Sequence, residues 1–487
     1  MYLSDLIRDK KLSQIKIKIT GLSEDSREVK RGYIFFLKNI SSKAKEYISE
    51  ATKNGAILII HNKDIDFDIE EYCGSCKTYS VKNVERTMAL FSKKYFGVKT
   101  KNFKIYGVTG TNGKSSVTNY IAQLQNINKK KCALIGTLGN GIYPNLKYSS
   151  HTTPNIIKLN EEISNFQKRK IKNLSLEVSS HGIKQNRILG IEFDTTVFTN
   201  LSQDHLDYHK NMKNYFIEKL KLFSEYRSRK KVICIDDSYG KKILRTFSNK
   251  KSVNTVSIKN EKADFYASNI EFSKNGVNFF LNSKYGKQNI QANTYGIFSI
   301  INIITAIATL SNNKKDFLLY CNHCKKLRSV NGRMNNYIKK NYPQVFVDYA
   351  HTPDSIKKVL KSIKLHFPQK EIISIFGCGG DRDKTKRKIM GKIVSNYSNQ
   401  IIITNDNPRT EDPNIIVKDI ISGISIKSDY KIILNRKEAI QTALIKNNKD
   451  KIVLIFGKGH ENYQIFSEKK IAFNDNNEVK KMLNLKK

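Results

Sequence analysis

Residues 107–116 read Gly107-Val108-Thr109-Gly110-Thr111-Asn112-Gly113-Lys114-Ser115-Ser116, directly after the strand-like run Phe103-Lys104-Ile105-Tyr106. Beyond them Val117, Tyr120, Ile121 and Leu124 keep the i, i+3, i+4, i+7 spacing of a helix face. The order is strand, glycine turn, helix opened by Lys-Ser. In such a turn backbone N–H groups point inward, glycines let a phosphate approach, and the helix N-terminus favours negative charge. Lys114 is predicted to reach the outer phosphates and the Ser115 hydroxyl to ligate Mg²⁺. The stretch predicts binding of ATP or GTP. The general pattern G-x-x-x-x-G-K-[ST] needs Gly at 108, where Val stands, so the loop is the shorter Gly110-x-x-Gly113-Lys114-Ser115.

Outward from this loop the chain divides into three regions, predicted as domains at 1–101, 102–333 and 334–487. The first holds short strand-like runs, Tyr33–Leu37 and Ala56–His61, and Phe91–Asn102 reads as a basic, polar connector. The second alternates apolar runs (Cys132–Thr137, Leu174–Val178, Thr195–Asn200, Val232–Asp236) with helical segments and ends in a helix over Ile300–Leu310. The third repeats the alternation with Val345–Asp348, Ile372–Phe376, Ile401–Thr404, Ile432–Leu434 and Ile452–Phe456, and helical candidates Ser355–His366 and Arg436–Asn447. Alternation of this kind predicts an α/β fold with mostly parallel sheets wrapped by helices. Four apolar runs of the third region are followed by loops dense in charge and glycine: Asp348–Pro353, Gly377–Asp383, Asn405–Arg409 and Gly457–Glu461. Open α/β sheets bind ligands at that carboxyl edge, so the four together predict a site.

Bulk properties narrow the class. A chain of 487 residues exceeds one core. No apolar run reaches membrane-spanning length and the start lacks a signal peptide's apolar stretch, so no membrane insertion and a cytoplasmic setting are expected. The net charge of +42, from 86 Lys+Arg against 44 Asp+Glu, would ordinarily suggest nucleic acid. Here the lysines are scattered rather than clustered, and a chain rich in Ile, Asn and Lys with no Trp reflects AT-biased coding. No nucleic-acid partner is expected. The seven cysteines include two CxxC pairs, 73/76 and 321/324, far apart in sequence, and read as free thiols in a reducing compartment rather than a zinc site.

Two further motifs carry chemistry. Glu177-Val178-Ser179-Ser180-His181 ends one strand and Asn200–His209 ends the next, aiming carboxylates and imidazoles toward the phosphate loop. Asp204, His205, Asp207 and His209 can also be read as a zinc cluster. With no thiolate near and a phosphate loop upstream, Mg²⁺ is the simpler choice. Arg333, in Gly332-Arg333-Met334, could swing toward a terminal phosphate or stand as a surface arginine in a hinge.

With Gly110–Ser116, Thr152-Thr153-Pro154, Glu177–His181, Asn200–His209, Gly332-Arg333, Asp348–Ser355, Gly377–Arg387, Asp406–Arg409 and Gly457–Gln464 in this order, the chain resembles the Mur ligase family over nearly its whole length. The resemblance implies an N-terminal UDP-binding domain, a central ATPase and a C-terminal Rossmann-like domain that brings an amino acid, using ATP and Mg²⁺; a monomer is expected. It implies that Gly110, Thr111, Asn112, Gly113, Lys114, Ser115 and Ser116 hold ATP, with Asn302 at the adenine, Asp348 at the ribose and Arg333 at the γ-phosphate. Ser115, Glu177 and His205 would serve the Mg²⁺ of ATP and a carbamylated Lys219 would help place a second Mg²⁺, with Lys114, Glu177, His205 and Lys219 as catalytic residues. On spacing alone Lys219 is a surface helix lysine. Ser26, Thr152, Thr153, Ser179, Gln185 and Arg187 match positions binding UDP-N-acetylmuramoyl-L-alanyl-D-glutamate.

The implied chemistry phosphorylates the terminal carboxylate of the D-glutamate, and the amine of an incoming amino acid then displaces phosphate. The identity of that amino acid turns on Asp406-Asn407-Pro408-Arg409. Arg409 can pair with the distal carboxylate of meso-diaminopimelate, which lysine lacks, with Arg382, Gly457 and Glu461 as family-matched neighbours. A buried arginine left without its carboxylate costs roughly 2–5 kcal/mol, so diaminopimelate is favoured. The chain departs from the family pattern around Lys38–Glu46, where a glycine and Asp-Gly signature is missing, and at Ser299, Asn331, Thr385 and Lys388.

Overall fold

The computed structural model describes residues 1–7, 17–38, 42–65, 67–247, 251–446 and 448–485. It holds a four-stranded, an eleven-stranded and a six-stranded sheet and a small two-stranded one.

The phosphate-loop strand, Lys104–Thr109, lies near the middle of the largest sheet, between the parallel strands Phe193–Phe198 and Asn173–Glu177. Parallel strands Ser228–Cys234, Val253–Ser257 and Phe265–Ser273 extend one side, and Cys132–Gly136 the other. Asn173–Glu177 and Cys132–Gly136 are buried at every residue, as strands covered on both faces must be. Both flanks end in antiparallel ribbons absent from the sequence reading: Phe265–Ser273 with Gly276–Ser283 and Gly286–Ala292, and Gly139–Ile142 with Asn145–Lys147. Their alternating buried and open positions match neither a helical period nor a continuous apolar run. The helix after the loop runs Lys114–Ile127, and Val117, Tyr120, Ile121 and Leu124 are all buried against the helix Ile297–Leu310.

The C-terminal sheet orders Asn335–Tyr337, Gln344–Asp348, Lys451–Phe456, Glu371–Phe376, Gln400–Ile403 and Asp429–Ile432, parallel except for the first. The last strand sits three residues earlier than the run Ile432–Leu434 suggested, because Ile433 and Leu434 instead pass the carboxyl edge and bond to Ile403 and Asn405. The helix expected over Arg436–Asn447 ends at Ala443, and Asn447 lies outside the described residues.

The N-terminal sheet is Gly21–Ser23, Tyr33–Leu37, Ala56–Asn62 and Lys77–Val81, all parallel. The expected connector from Phe91 is half helix: Val84–Tyr95 starts where the Asn83 side chain accepts the Arg86 amide at 2.7 Å. Its Met88 and Phe91 join Ile34, Phe36 and Ile60 to Ile163 and Phe166 of the neighbouring unit in one apolar cluster. Beside that seam opens a cleft of about 2200 Å³, lined from both sides by Ser26, Lys38, Tyr148, His151 and Arg187 among others. Residues 39–41 of the departing stretch lie outside the described residues.

Candidate active site

The phosphate loop is braced from the neighbouring strand's end. The amides of Thr111 and Asn112 donate to the Asn200 carbonyl and Oδ1 at 2.8 and 3.0 Å, and Thr199 Oγ1 donates to the Asn112 carbonyl at 2.6 Å. Those two amides are therefore spoken for, a correction to the expectation that the whole turn points its N–H groups inward. The amides from Gly113 onward, at the helix N-terminus, are the ones left for an anion, with Ser116 in the first turn. Gly110 (φ +149°) and Gly113 (φ +88°) have no room for a side chain: a Cβ would stand 1.9 Å from Thr199 Oγ1 and 2.6 Å from Asn302 Oδ1. That second closeness puts Asn302, buried on the helix Ile297–Leu310, against the loop. Lys114 curls back, its Nζ donating to the Gly110 and Thr111 carbonyls at 3.0 and 2.8 Å. Burial lowers its pKa, and Glu177 and Asp204 oppose the shift.

Glu177 ends the strand Asn173–Glu177 and is fully buried. Its carboxylate accepts from Ser115 Oγ, the Thr137 amide and Thr137 Oγ1, each at 3.1 Å. Burial raises its pKa while Lys114 and Arg333 pull it down. A buried carboxylate bonded only to neutral donors favours a nearby cation. With the adjoining Ser115 hydroxyl it fits Mg²⁺, which takes one or two protein oxygens beside phosphate. The alternative zinc cage gains no support: among the described residues no three His, Cys, Asp or Glu side chains are grouped to hold a metal. All seven cysteines are free and buried.

Lys219 corrects the reading from spacing. It is not on the surface but 1% exposed, on the buried face of the helix Met212–Ser224, its Nζ donating to the Gly110 carbonyl at 2.9 Å above the Tyr215 ring. Burial holds its pKa well below the ordinary lysine range, with Lys114 pushing further down. A neutral amine is nucleophilic enough for carbamate formation. His205 takes a left-handed conformation (φ +54°) and turns its ring edge-on to His181, 5.0 Å between centroids. Its side chain is 44% exposed, yet desolvation lowers its pKa to about 4 against the pull of Asp204, leaving an unprotonated ring for a metal.

The residues matched to the muramoyl dipeptide are wired together. Thr152 Oγ1 meets Thr137 Oγ1 at 3.0 Å; Thr153 Oγ1 donates to the Glu177 carbonyl at 2.8 Å and accepts the Ser179 amide at 3.0 Å. Arg187 donates to the Thr153 carbonyl at 2.8 Å and to Gln185 Oε1, and Gln185 donates to the Tyr208 hydroxyl at 3.2 Å. Ser26 stands apart in the N-terminal unit, bonded to Glu50 at 2.5 Å, and reaches the set only across the cleft it lines with Arg187.

The loops of the C-terminal sheet do converge. Gly457 passes so close to Asp406 that a Cβ would lie 2.4 Å from its Oδ2, and at Gly380 a Cβ would lie 1.9 Å from the Pro408 carbonyl oxygen. Arg409 (φ +53°) is half-buried, its Nη1 donating to the Gly380 carbonyl at 2.6 Å, while its Nη2 and Nε donate to no described residue. Asn407 Nδ2 donates to Glu461 Oε2 at 3.0 Å. Arg382 is exposed at the rim and bonds only weakly to its neighbour's carbonyl.

Between the two sets runs the Arg333 junction. Its guanidinium lies 4.6 Å from the Tyr349 ring centroid, and Tyr349 packs 4.7 Å from His460. Arg333 Nε is buried with no hydrogen-bond partner among the described residues, as an anion-seeking group would be. Asp348, expected at a ribose, accepts the Met334 and Ala350 amides at 2.8 Å each, so it also pins the linker that carries Arg333. Sequence reasoning passed over Tyr349 and Lys458. Both stand inside quoted motifs, but only packing reveals their contacts.

The profile of the Mur ligase middle domain matches residues 108–310, and that of the Mur ligase glutamate ligase domain residues 332–459. A UDP-N-acetylmuramoyl-L-alanyl-D-glutamate--2,6-diaminopimelate ligase of Wigglesworthia glossinidia brevipalpis is 40% identical over 96% of this chain and 95% of its own. One of Buchnera aphidicola subsp. Baizongia pistaciae is 37% identical over 96% and 94%. A solved structure of a ligase of that name superposes with a TM-score of 0.69 at 31% identity, covering 98% of this chain and 96% of its own. A Thermotoga maritima ligase solved with ADP, 18% identical with a TM-score of 0.58 over 89% of this chain and 93% of its own, shares the fold. With both profiles matched and full-length relatives at this identity, the chain belongs to the Mur ligase family.

Proposed function

We propose that the protein is an ATP-dependent amide ligase of peptidoglycan precursor synthesis, joining meso-2,6-diaminopimelate to the D-glutamate of UDP-N-acetylmuramoyl-L-alanyl-D-glutamate through an acyl phosphate. Support comes from the names of its full-length relatives and from one contact chain. Arg333, beside the phosphate loop's charges, stacks on Tyr349, which packs on His460 next to Glu461. A phosphate clamp and an amino-acid receptor thus share one junction.

Transfer of a phosphoryl group asks for positioning and charge neutralisation rather than a protein nucleophile. The Gly113–Ser116 amides and Lys114 would cradle the phosphates of ATP, Asn302 would face the adenine, Asp348 the ribose and Arg333 the γ-phosphate. Ser115, Glu177 and His205 would hold one Mg²⁺ and carbamylated Lys219 would help hold a second, the ions supplying positive charge to offset that of the phosphates. Thr152, Thr153, Ser179, Gln185, Arg187 and Ser26 would orient the muramoyl dipeptide along the cleft. Arg409 would take the distal carboxylate of diaminopimelate, and Asp406 and Glu461 its ammonium, leaving the other amine to attack the acyl carbon and release phosphate.

We take the single chain as the working unit, because residues for all three substrates come from it. The seven unpaired cysteines support a reducing, cytoplasmic setting, and no helix among the described residues is long and apolar enough to cross a membrane. Purified protein given ATP, the muramoyl dipeptide and either diaminopimelate or L-lysine should release phosphate and extend the dipeptide by diaminopimelate, read by mass. Better turnover with lysine would overturn the specificity, and no phosphate or product with either would overturn the whole assignment.

A further inference from the structure

Lys458 is a lysine with no exposed surface in the loop after the strand Lys451–Phe456. An ammonium so placed is tolerated only with partners of good geometry. Its Nζ donates to Asn407 Oδ1 at 2.9 Å and to Glu461 Oε2 at 2.7 Å, over the face of Tyr463. Asn407 Oδ1 accepts a second bond from the Ile465 amide at 3.0 Å. With both donors on that oxygen the amide cannot flip, and its Nδ2 is committed to Glu461 Oε2.

The consequence falls on Glu461. One carboxylate oxygen is saturated by Lys458 and Asn407, while Oε1 accepts from no described residue and its side chain is 20% exposed. The Asp406 carboxylate likewise has no described donor and stands against Gly457. Arg409, anchored through Nη1, offers its other edges from the opposite charge class.

We infer that Lys458 is a positioning residue for substrate choice: by clamping Asn407 and one oxygen of Glu461 it aims the other oxygen at the ammonium of an incoming zwitterionic amino-acid head group. This rests on the proposed function, since it names how that site is held rather than a new reaction. Lys458 touches no reacting atom. Its removal leaves Glu461 Oε2 held by the Asn407 amide alone, itself still fixed by the Ile465 amide, so the Glu461 carboxylate can rotate and the cost appears in capture of the amino acid and not of ATP.

The test is steady-state kinetics of Lys458→Met with ATP, muramoyl dipeptide and diaminopimelate varied in turn. The KM for diaminopimelate should rise at least tenfold while those for ATP and dipeptide stay within twofold. In a Glu461→Gln background the same change should add less than twofold, because its route is already cut; a merely structural role would add its full effect. If Lys458→Met does not yield folded protein, Lys458→Arg carries the test, a fork that cannot reproduce both bonds in that space and so should raise the same KM alone. An unchanged diaminopimelate KM in the folded variant, or multiplicative effects with Glu461→Gln, would overturn the inference. Absence of wild-type turnover with diaminopimelate would instead overturn the substrate assignment.

Discussion

The amines of Lys114 and Lys219 converge on one atom: both donate to the Gly110 carbonyl oxygen, at 3.0 and 2.9 Å. Two lysines so close cannot both be comfortably charged away from water, and each has its pKa lowered by burial. Lys114 keeps access to solvent and to the anion-binding helix N-terminus. Lys219, with 1% exposure, is the one driven toward the neutral amine.

Lys219→Ala should therefore depress kcat roughly 100-fold or more, the scale seen when one charge-stabilising group is removed from a preorganised site. Added acetate or formate should restore part of the rate by occupying the vacated space as an anion. Phosphate release measures both, and full activity in the variant would remove the carbamate role. The wild-type protein should also carry the mass of one bound CO₂ when kept in bicarbonate.

Gly113→Ala should weaken ATP binding. The new methyl would stand 2.6 Å from Asn302 Oδ1 at a backbone angle of φ +88°, which costs about 1–3 kcal/mol of strain in a non-glycine residue. We expect a rise of tenfold or more in the KM for ATP, with the KM for diaminopimelate held. Equal shifts in both would mean general unfolding rather than a displaced Asn302.

Arg409→Ala should raise the KM for diaminopimelate by roughly tenfold, less than the cost of cutting a fully buried charge pair because Arg409 is only half-buried. Slow turnover of L-lysine, which has no distal carboxylate, should be unaffected. A parallel loss with both amino acids would show that Arg409 acts through its bond to Gly380 and not through the substrate.

Acid should destabilise the fold through its buried imidazoles. His209, 3% exposed and bonded to Ser180 Oγ at 2.9 Å, has its pKa lowered by burial to about 4. The unfolded chain takes up the proton near pH 6.5 and the native chain only near 4, so the contribution is complete above pH 6.5 and is lost as pH falls through about 4. Thermal unfolding of wild type should show Tm dropping across that window, and His209→Gln should flatten the drop. An identical pH slope in both would exclude His209 as a source.

The amino-acid sequence alone determined the local pieces: the loop Gly110–Ser115, the helix face from Val117 to Leu124, the parallel strands Asn173–Glu177 and Glu371–Phe376, and the motifs that carry family roles. These are legible because apolar period, glycine and capping chemistry act over a few residues. The antiparallel ribbon Phe265–Ala292 carries only the period-two alternation of half-open strands, as at Val277, Phe279 and Leu281, which a reading keyed to continuous apolar runs passes over, and the start of the strand at Asp429 has no apolar run to mark it. Only the tertiary structure decided which charged groups meet. Lys219 and Gly110 are brought together across more than a hundred residues, and Lys458 with Asn407 across about half that. Burial depends on what packs above a side chain, and no periodicity of its own helix or loop encodes the neighbour that covers it.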